Sequence, residues 1–263
     1  MFVGACFTPH PPVIVPCVGR GREQEAGATV AAMKQLASMV MAMQPETLLV
    51  LSPHATMSSD FLPLHVAGQY RGNFRRFGVP QPSWVFDADT ELITALAQKV
   101  EGVAKISKAE LDHGALVPLA YLAEAGFQGK LALLGWPLLP ATGIESFGQR
   151  VGKLLSTHSR RVVAVMSGDM SHALTPDAPN GFSPYGKKFD EAFVAAMQPW
   201  NTAALMSFDP QLAERGAQDA LGSAQFLVGM LRDVLQVQPQ LLSYEGPFGV
   251  GYLVQAFSWP SAA

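Results

Sequence analysis

The sequence predicts a single α/β domain over residues 1–263, with a mostly parallel or mixed central β-sheet covered by helices on both faces. Short, nearly all-apolar runs such as residues 47–52 (TLLVLS) are typical of strands buried on both sides. These runs alternate with segments of helical periodicity, which favours a covered and largely parallel sheet. No linker-like stretch or internal repeat divides the chain, and α/β folds of this size often form one domain.

The first elements follow from residue types and spacing. Residues 3–8 are β-prone, and the PHPP that follows cannot continue a sheet ladder because proline has no N–H. Apolar residues in 22–44 recur at helical spacing, so we expect a helix that packs on the sheet. Residues 47–52 then form the second strand, which ends at the next proline.

The middle of the chain repeats this alternation. Turn glycines within residues 61–77 indicate a strand or hairpin region, and acidic or hydroxyl capping residues open a helix at 89–100. Further helices are expected at 116–124 and 144–157, and further strands at 130–135 and 161–167.

The last third of the chain is predicted to be richer in helix. Helices are expected at 186–197, 202–208, 211–216 and 222–235, and strands at 240–244 and 251–257 flank a glycine-rich turn.

Composition limits the classes of function. Apolar residues make up 49% and charged residues 15%, as in a compact globular protein. The net charge is −3 and no Lys/Arg-rich run is present, so the sequence indicates no positively charged surface for nucleic acid or an anionic membrane. A small-molecule ligand is therefore expected. Prolines interrupt the longest apolar stretch, and no signal-peptide pattern is seen, so we expect a cytoplasmic protein without a membrane segment. Cys6 and Cys17 are expected to be free thiols.

Three candidate ligands lie at the ends of predicted strands, next to Gly/Pro-rich turns. His10 lies in FTPHPP, His54 in LSPHAT and Glu245 in YEGPFGVG, each after a β-prone run. Their side chains are therefore expected to converge at one edge of the sheet. Two imidazoles and one carboxylate with open positions form the facial triad of non-haem Fe(II) oxygenases, although Zn²⁺ accepts the same donors.

Two further histidines are acid/base candidates. His113 in LDHGAL and His172 in SGDMSH are predicted to lie in loops, where catalytic side chains concentrate. Asp112 and Asp169 are candidates to orient neighbouring rings. His65 and His158 are interpreted as structural.

Other catalytic signatures are missing from the sequence. It contains no GxGxxG after the first strand, no GxxxxGK[ST] loop and no GxSxG elbow. The absence of these motifs disfavours a dinucleotide-binding protein, a nucleotide-binding protein and a serine hydrolase. The histidines are then the only set of residues in the sequence that indicates a particular chemistry.

Five motifs together carry a family resemblance. TPHPP (8–12), SPH (52–54), LDHG (111–114), SGDMSH (167–172) and SYEGPFGVGY (243–252) resemble, in this order, the class III extradiol dioxygenase superfamily of LigB type. Within it the chain is most similar to the N-terminal part of AmmeMemoRadiSam system protein A. The resemblance spans nearly the whole chain and implies the α/β fold of that superfamily.

The resemblance also implies roles for the five residues. His10, His54 and Glu245 would hold Fe(II), His172 would be the acid/base histidine, and His113 the second active-site histidine. The implied activity is O₂-dependent extradiol cleavage of a catechol-type or aminophenol-type ring, so the expected partners are a small aromatic substrate and O₂. A MEMO-like non-catalytic binding protein and a zinc hydrolase are the alternatives, and a homodimer is left open as the assembly.

One cluster of arginines is relevant to which substrate the protein binds. Arg71, Arg75 and Arg76 lie in QYRGNFRRFG, a region punctuated by glycine. Arginine binds a carboxylate with two parallel hydrogen bonds, so this cluster is a candidate clamp for a carboxylated aromatic. A solvated loop is the alternative interpretation.

Overall fold

The strands and helices alternate along the computed structural model, which describes residues 1–260. The strands are β1 (Phe2–Thr8), β2 (Thr47–Leu51), β3 (Met57–Ser58), β4 (Leu62–Val66), β5 (Gln69–Phe74), β6 (Val79–Asp87), β7 (Val103–Ser107), β8 (Lys130–Leu134), β9 (Trp136–Pro137), β10 (Val162–Ser167), β11 (Gln238–Glu245) and β12 (Tyr252–Ser258). The α-helices are α1 (Pro16–Gly19), α2 (Gly27–Ala42), α3 (Thr90–Lys99), α4 (His113–Glu124), α5 (Ala141–Ser156), α6 (Pro184–Met197), α7 (Thr202–Met206), α8 (Pro210–Arg215) and α9 (Ala220–Leu231).

Eight strands form the central mixed sheet, in the order β11-β12-β1-β10-β2-β8-β4-β7. The four central strands β1, β10, β2 and β8 run parallel. Antiparallel pairing begins on each side, between β1 and β12 and between β8 and β4. Two small sheets, β3 with β9 and β5 with β6, lie outside it.

Alternate side chains of the central strands pack against helices on opposite faces. Cys6 of β1 lines one small cavity together with Met33 of α2 and Pro118 of α4. The next residue, Phe7, contacts Phe193 of α6 with ring centroids 5.8 Å apart. Because both faces are covered, β2 and β10 are buried along their whole length, as their unbroken apolar sequences indicate.

The predicted fold class is confirmed: one α/β domain with a large mixed sheet flanked by helices. Some boundaries differ from the prediction. The predicted helix at 22–44 is divided into a 3₁₀ segment, Arg22–Ala26, and α2. The helix predicted at 116–124 begins three residues earlier, so His113 is its first residue and not a loop residue.

Strands β6 and β7 were missing from the sequence-based prediction. Pro80 and Pro82 lie within β6, and proline lowers the expectation of a strand. The structure accommodates them in a mostly exposed two-stranded hairpin. β7 is a short edge strand with few buried residues, so its apolar pattern is weak.

Within residues 1–260, no helix combines the length and the apolar character that crossing a bilayer requires.

Helices α5 and α9 approach each other so closely that glycine is required at their contact. A Cβ added at Gly229 would lie 2.0 Å from the Glu145 carbonyl oxygen. We expect Gly229→Ala to lower the free energy of unfolding by about 1–3 kcal/mol, because the helices must separate. Urea denaturation measures this difference.

Gly27 offers the matched control for that substitution. It begins α2 with φ −61°, and a Cβ there would meet nothing within 4 Å. Gly27→Ala should therefore leave stability unchanged or slightly raised. Equal stability of the two variants would show that α5 and α9 are farther apart than the structure places them.

Candidate metal centre and active site

The candidate site lies at the carboxyl ends of β1, β10 and β2, three neighbouring parallel strands. Loops after parallel strands meet at one edge of a sheet, where α/β proteins bind ligands. His10 follows β1, His54 follows β2, and Asp169 and His172 follow β10. The start of α4 brings His113 to the same place, since its ring centroid lies 4.1 Å from that of His54.

His10 is held in one orientation by two hydrogen bonds. Its backbone N–H donates to Asp169 Oδ1 at 2.8 Å, and its Nδ1 lies 2.9 Å from Ser167 Oγ. The Ser167 hydroxyl donates its own hydrogen to the Gly114 carbonyl, so Ser167 accepts from His10 Nδ1–H. The remaining nitrogen, Nε2, therefore points into the site as a possible metal ligand.

His54 is supported by the loop after β2 and by the start of α4. Its backbone N–H donates to Ser52 Oγ, and Ser52 donates in turn to Asp112 Oδ1. Asp112 also caps α4 by accepting from Ala115 N–H. A Cβ on Gly114 would lie 2.4 Å from Ser52 Oγ, so the glycine of LDHG lets these segments meet.

The Nε2 atoms of His10 and His54 lie 2.9 Å apart, and Asp219 completes a triangle with them. Asp219 Oδ2 lies 3.6 Å from His10 Nε2 and 3.4 Å from His54 Nε2. Two ligands at right angles, each about 2.1 Å from one ion, would be about 3.0 Å apart, and wider angles give about 3.5 Å. The three atoms therefore have the spacing of ligands on one face of a divalent ion.

His113 adds a third imidazole to the site. The ligand nitrogens of His10, His54 and His113 all lie within 4.8 Å of one another. Burial, together with the neighbouring His54 and His10, lowers the pKa of His113 to about 4. His113 is therefore neutral at physiological pH and can ligate a metal or hydrogen-bond to a substrate.

Two carboxylates lie beside the His10 ring, since Asp169 Oδ2 and Asp219 Oδ2 are each 3.6 Å from His10 Nε2. Burial raises the pKa of Asp169, whereas the neighbouring His10 and His54 imidazoles outweigh burial at Asp219 and hold its pKa well below the usual range. Burial lowers the pKa of His10, but both carboxylates outweigh it and raise this pKa to about 9. The site therefore favours positive charge at His10 Nε2.

His172 has the geometry of an oriented acid/base group. Its backbone N–H and its Nδ1 both lie within hydrogen-bonding distance of the Ala217 carbonyl, at 2.8 and 2.9 Å. A carbonyl only accepts, so Nδ1 carries the hydrogen and Nε2 is left to exchange a proton. His172 Nε2 lies 3.9 Å from Asp169 Oδ2.

Glu245 lies at the same edge of the sheet, but the structure does not group it with His10 and His54. It ends β11, and β12 lies between β11 and β1. Two strand spacings correspond to about 10 Å. Glu245 Oε1 instead accepts a hydrogen bond of 2.6 Å from Thr29 N–H in the first turn of α2, where a negative charge is favourable. Its role as a metal ligand stays a prediction.

The remaining sequence candidates lie elsewhere. His65 is buried within β4, and His158 precedes β10 at the end of that strand opposite to the site. Cys17 is a half-buried free thiol in α1 and is not part of the histidine cluster.

Asp219 is the residue that sequence reasoning missed. It occurs in GAQDALG, directly before α9, where an aspartate is expected to cap a helix. The structure gives its side chain no capping hydrogen bond, and its Oδ1 accepts from Asp169 N–H. The only local signal was a polar residue before a helix, which many non-functional positions share.

Comparison with known proteins was consistent with this geometry. A family model described as the catalytic LigB subunit of aromatic ring-opening dioxygenase matches residues 4–255. The crystal structure of uncharacterized protein JW3007 from Escherichia coli K12 has a TM-score of 0.64 at 16% identity, covering 98% of this chain and 100% of that one. At this identity the likeness shows the fold alone.

Two curated relatives are longer than this chain. Protein CA_C1420 of Clostridium acetobutylicum is 30% identical over 271 residues, covering 97% of this chain and 58% of that protein. A Mycobacterium ulcerans protein, named 2,3-dihydroxyphenylpropionate/2,3-dihydroxicinnamic acid 1,2-dioxygenase, is 27% identical over 154 residues, covering 54% of this chain and 49% of that protein. The chain thus spans about half the length of the curated relatives it matches.

Two amide substitutions, one at Asp219 and one at Glu245, distinguish which carboxylate binds the metal. We expect Asp219→Asn to lose most of its bound Fe(II) or Zn²⁺, because a neutral amide is a poorer ligand. Glu245→Gln should retain the metal and lose only a favourable charge at the start of α2. Metal content after dialysis, with circular dichroism as the check on folding, measures both effects. The reverse pattern would establish Glu245 as the ligand.

Proposed function

Because the chain belongs to the LigB family of aromatic ring-opening dioxygenase subunits, we propose that it cleaves a catechol-type or aminophenol-type ring beside the diol with O₂. In this proposal His10, His54 and Asp219 hold one Fe(II). The observation that carries the proposal is the triangle of three ligand atoms, with edges of 2.9, 3.4 and 3.6 Å, beside the oriented imidazole of His172.

The donor set fits the metal that this chemistry needs. Two imidazoles and one carboxylate are the ligands of non-haem Fe(II) oxygenases, and they leave other positions open. His54 has 38% of its side chain exposed, so solvent and substrate reach the site from that side. When bound, Fe(II) would bind substrate and O₂ and would supply the redox chemistry of ring opening.

His172 moves the proton in this proposal. Its Nε2 accepts the proton of one substrate hydroxyl, while the Ala217 carbonyl holds Nδ1–H and fixes the ring. Asp169 Oδ2 lies 3.9 Å from the nitrogen that takes this proton. The same nitrogen then returns the proton later in the reaction, since an imidazole serves in both directions near neutral pH.

His113 is a binding residue in this proposal. Its low pKa keeps the ring neutral, so it hydrogen-bonds to the substrate without adding positive charge beside the metal. It lies next to His54 on the exposed side of the site. The Mycobacterium ulcerans relative is named for a carboxylated catechol substrate, which supports a catechol as the substrate class here.

A zinc enzyme is the second candidate because three imidazoles lie close together. Three histidines and one open position form a common catalytic zinc site. That arrangement would make His113 a ligand and would suit hydrolysis. A MEMO-like binding protein, which holds a metal without turnover, is the third candidate.

Anaerobic reconstitution tests the proposal. The protein is loaded with Fe(II) or Zn²⁺ without O₂, then exposed to air with catechol, protocatechuate, gallate and aminophenols. We expect yellow ring-opened product from the iron-loaded protein only, with one O₂ consumed per ring. Oxygen-independent hydrolysis by the zinc form would favour the second candidate. Stable metal binding without any turnover would favour the third.

His172→Ala should retain metal and lose turnover by about 10²–10⁴-fold, the usual contribution of a general acid–base group. His158→Ala provides the control, because His158 lies at the opposite end of β10. Steady-state O₂ uptake with equal iron content in each protein measures the loss. Wild-type rates in His172→Ala would mean that His172 is structural.

His113→Ala distinguishes a two-histidine from a three-histidine centre. If His10, His54 and Asp219 suffice, this variant should keep its iron and show mainly a higher KM, because one substrate contact is removed. Metal analysis beside steady-state kinetics tests this expectation. Loss of the metal would instead place His113 among the ligands.

A further inference from the structure

A short 3₁₀ turn, Arg75–Phe77, lies beside the candidate site. The Phe77 ring centroid lies 5.4 Å from the His113 ring, with the two planes at 64°. Phe77 is 43% exposed although it is a large apolar residue. An exposed aromatic ring next to a candidate active-site histidine is available to cover a substrate ring.

Backbone hydrogen bonds hold the strand before this turn, and an arginine side chain contacts the residue after it. β5, which leads into it, is hydrogen-bonded to the segment before α4: Arg71 N–H donates to the Ala109 carbonyl and Leu111 N–H to the Arg71 carbonyl, both at 2.8 Å. After the turn, the Gly78 carbonyl lies 3.5 Å from Arg20 Nη2, on the segment that follows His10. The turn therefore lies between the segment that leads into His113 and the segment that follows His10.

Two charged side chains of the turn, Arg75 and Arg76, have no partner in the part of the chain that the structure describes. Among residues 1–260, Arg75 and Arg76 form no salt bridge, and their side chains make no hydrogen bond within the chain. Both are exposed. Arg71 differs, because its side chain donates to Gln69 Oε1 on the same strand. Two unpaired arginines thus directly precede Phe77 in this turn.

We propose that the turn Arg75–Phe77 is the substrate-selecting element of the site, and that it recognises a carboxylate on the ring that is to be cleaved. This inference rests on the proposed function. Phe77 covers one edge or face of the aromatic ring, while Arg75 and Arg76 take the carboxylate at the end of the ring remote from the diol. The planar guanidinium matches a carboxylate with two parallel hydrogen bonds.

Charge explains why the carboxylate is bound at the turn and not at the centre. Asp169 and Asp219 already provide two carboxylates beside His10. A third carboxylate there would compete with the diol for the metal. Unpaired arginines at the rim attract the anionic end of the substrate and leave the diol to the metal, so they select orientation as well as substrate class.

Binding experiments on the iron-loaded protein without O₂ test the inference. The ligands are protocatechuate, its neutral amide and catechol, which share the diol and differ in the remote group. We expect wild-type protein to bind protocatechuate about tenfold or more tighter than the amide, since hydrogen bonds to charged groups are the stronger ones. Isothermal titration calorimetry measures all three dissociation constants.

The double variant Arg75→Gln/Arg76→Gln should lose the preference for protocatechuate over the amide and bind catechol as the wild type does. Arg71→Gln is the matched control, because it removes one positive charge from the same hairpin without touching the turn. It should keep the preference. Arg71, Arg75 and Arg76 are all exposed. The circular dichroism spectrum and the iron content of both variants should therefore match those of the wild type.

The outcomes separate this inference from the proposed function. If catechol and the amide bind to the iron-loaded protein, but the preference is absent or survives in the double variant, the turn is not the carboxylate site and the proposed function stands. Equal loss of preference in Arg71→Gln would show a general charge effect and also overturn the inference. If no diol binds at all, the proposed function fails and the inference fails with it.

Discussion

The hydrogen bonds that join the loop after β10 to the start of α9 are the constraint on which the site depends. Asp169 N–H donates to Asp219 Oδ1 at 2.6 Å, and Asp219 N–H donates back to the Asp169 carbonyl. His172 binds the Ala217 carbonyl through both its backbone and its ring. Segments that lie 50 residues apart in the sequence thereby form one unit, so the Asp219 carboxylate and the His172 imidazole keep a fixed relation.

Ser167, the last residue of β10, connects this unit to the rest of the fold. Its hydroxyl accepts from His10 Nδ1 and donates to the Gly114 carbonyl, and its own carbonyl accepts from Ser223 Oγ on α9. Because β10 lies between β1 and β2, one buried serine contacts the strand exit that carries His10 and the two helices that present His113 and Asp219. Such fully satisfied buried networks make the positions of their members specific.

Local signals in the sequence predicted part of this arrangement. Apolar runs ended by proline placed His10 and His54 at strand exits, and both lie at the predicted edge. The order of strands is a non-local property, so the sequence could not reveal that β12 separates Glu245 from β1. Asp219 was missed for a related reason: its position before α9 is ordinary for a capping residue, and its importance comes from Asp169, a partner distant in sequence.

The charge balance of the centre explains why it suits a cation. A buried carboxylate, Asp169, beside a half-buried one, Asp219, is costly unless positive charge lies next to them. A proton on His10 supplies such charge, since the two carboxylates raise the pKa of His10 to about 9. Nδ1 already donates to Ser167, so this proton is on Nε2, the atom that faces His54 and Asp219. A divalent ion would replace the proton at the same point and match the charge of both carboxylates. His113, with its pKa lowered to about 4, adds no positive charge to this balance at neutral pH.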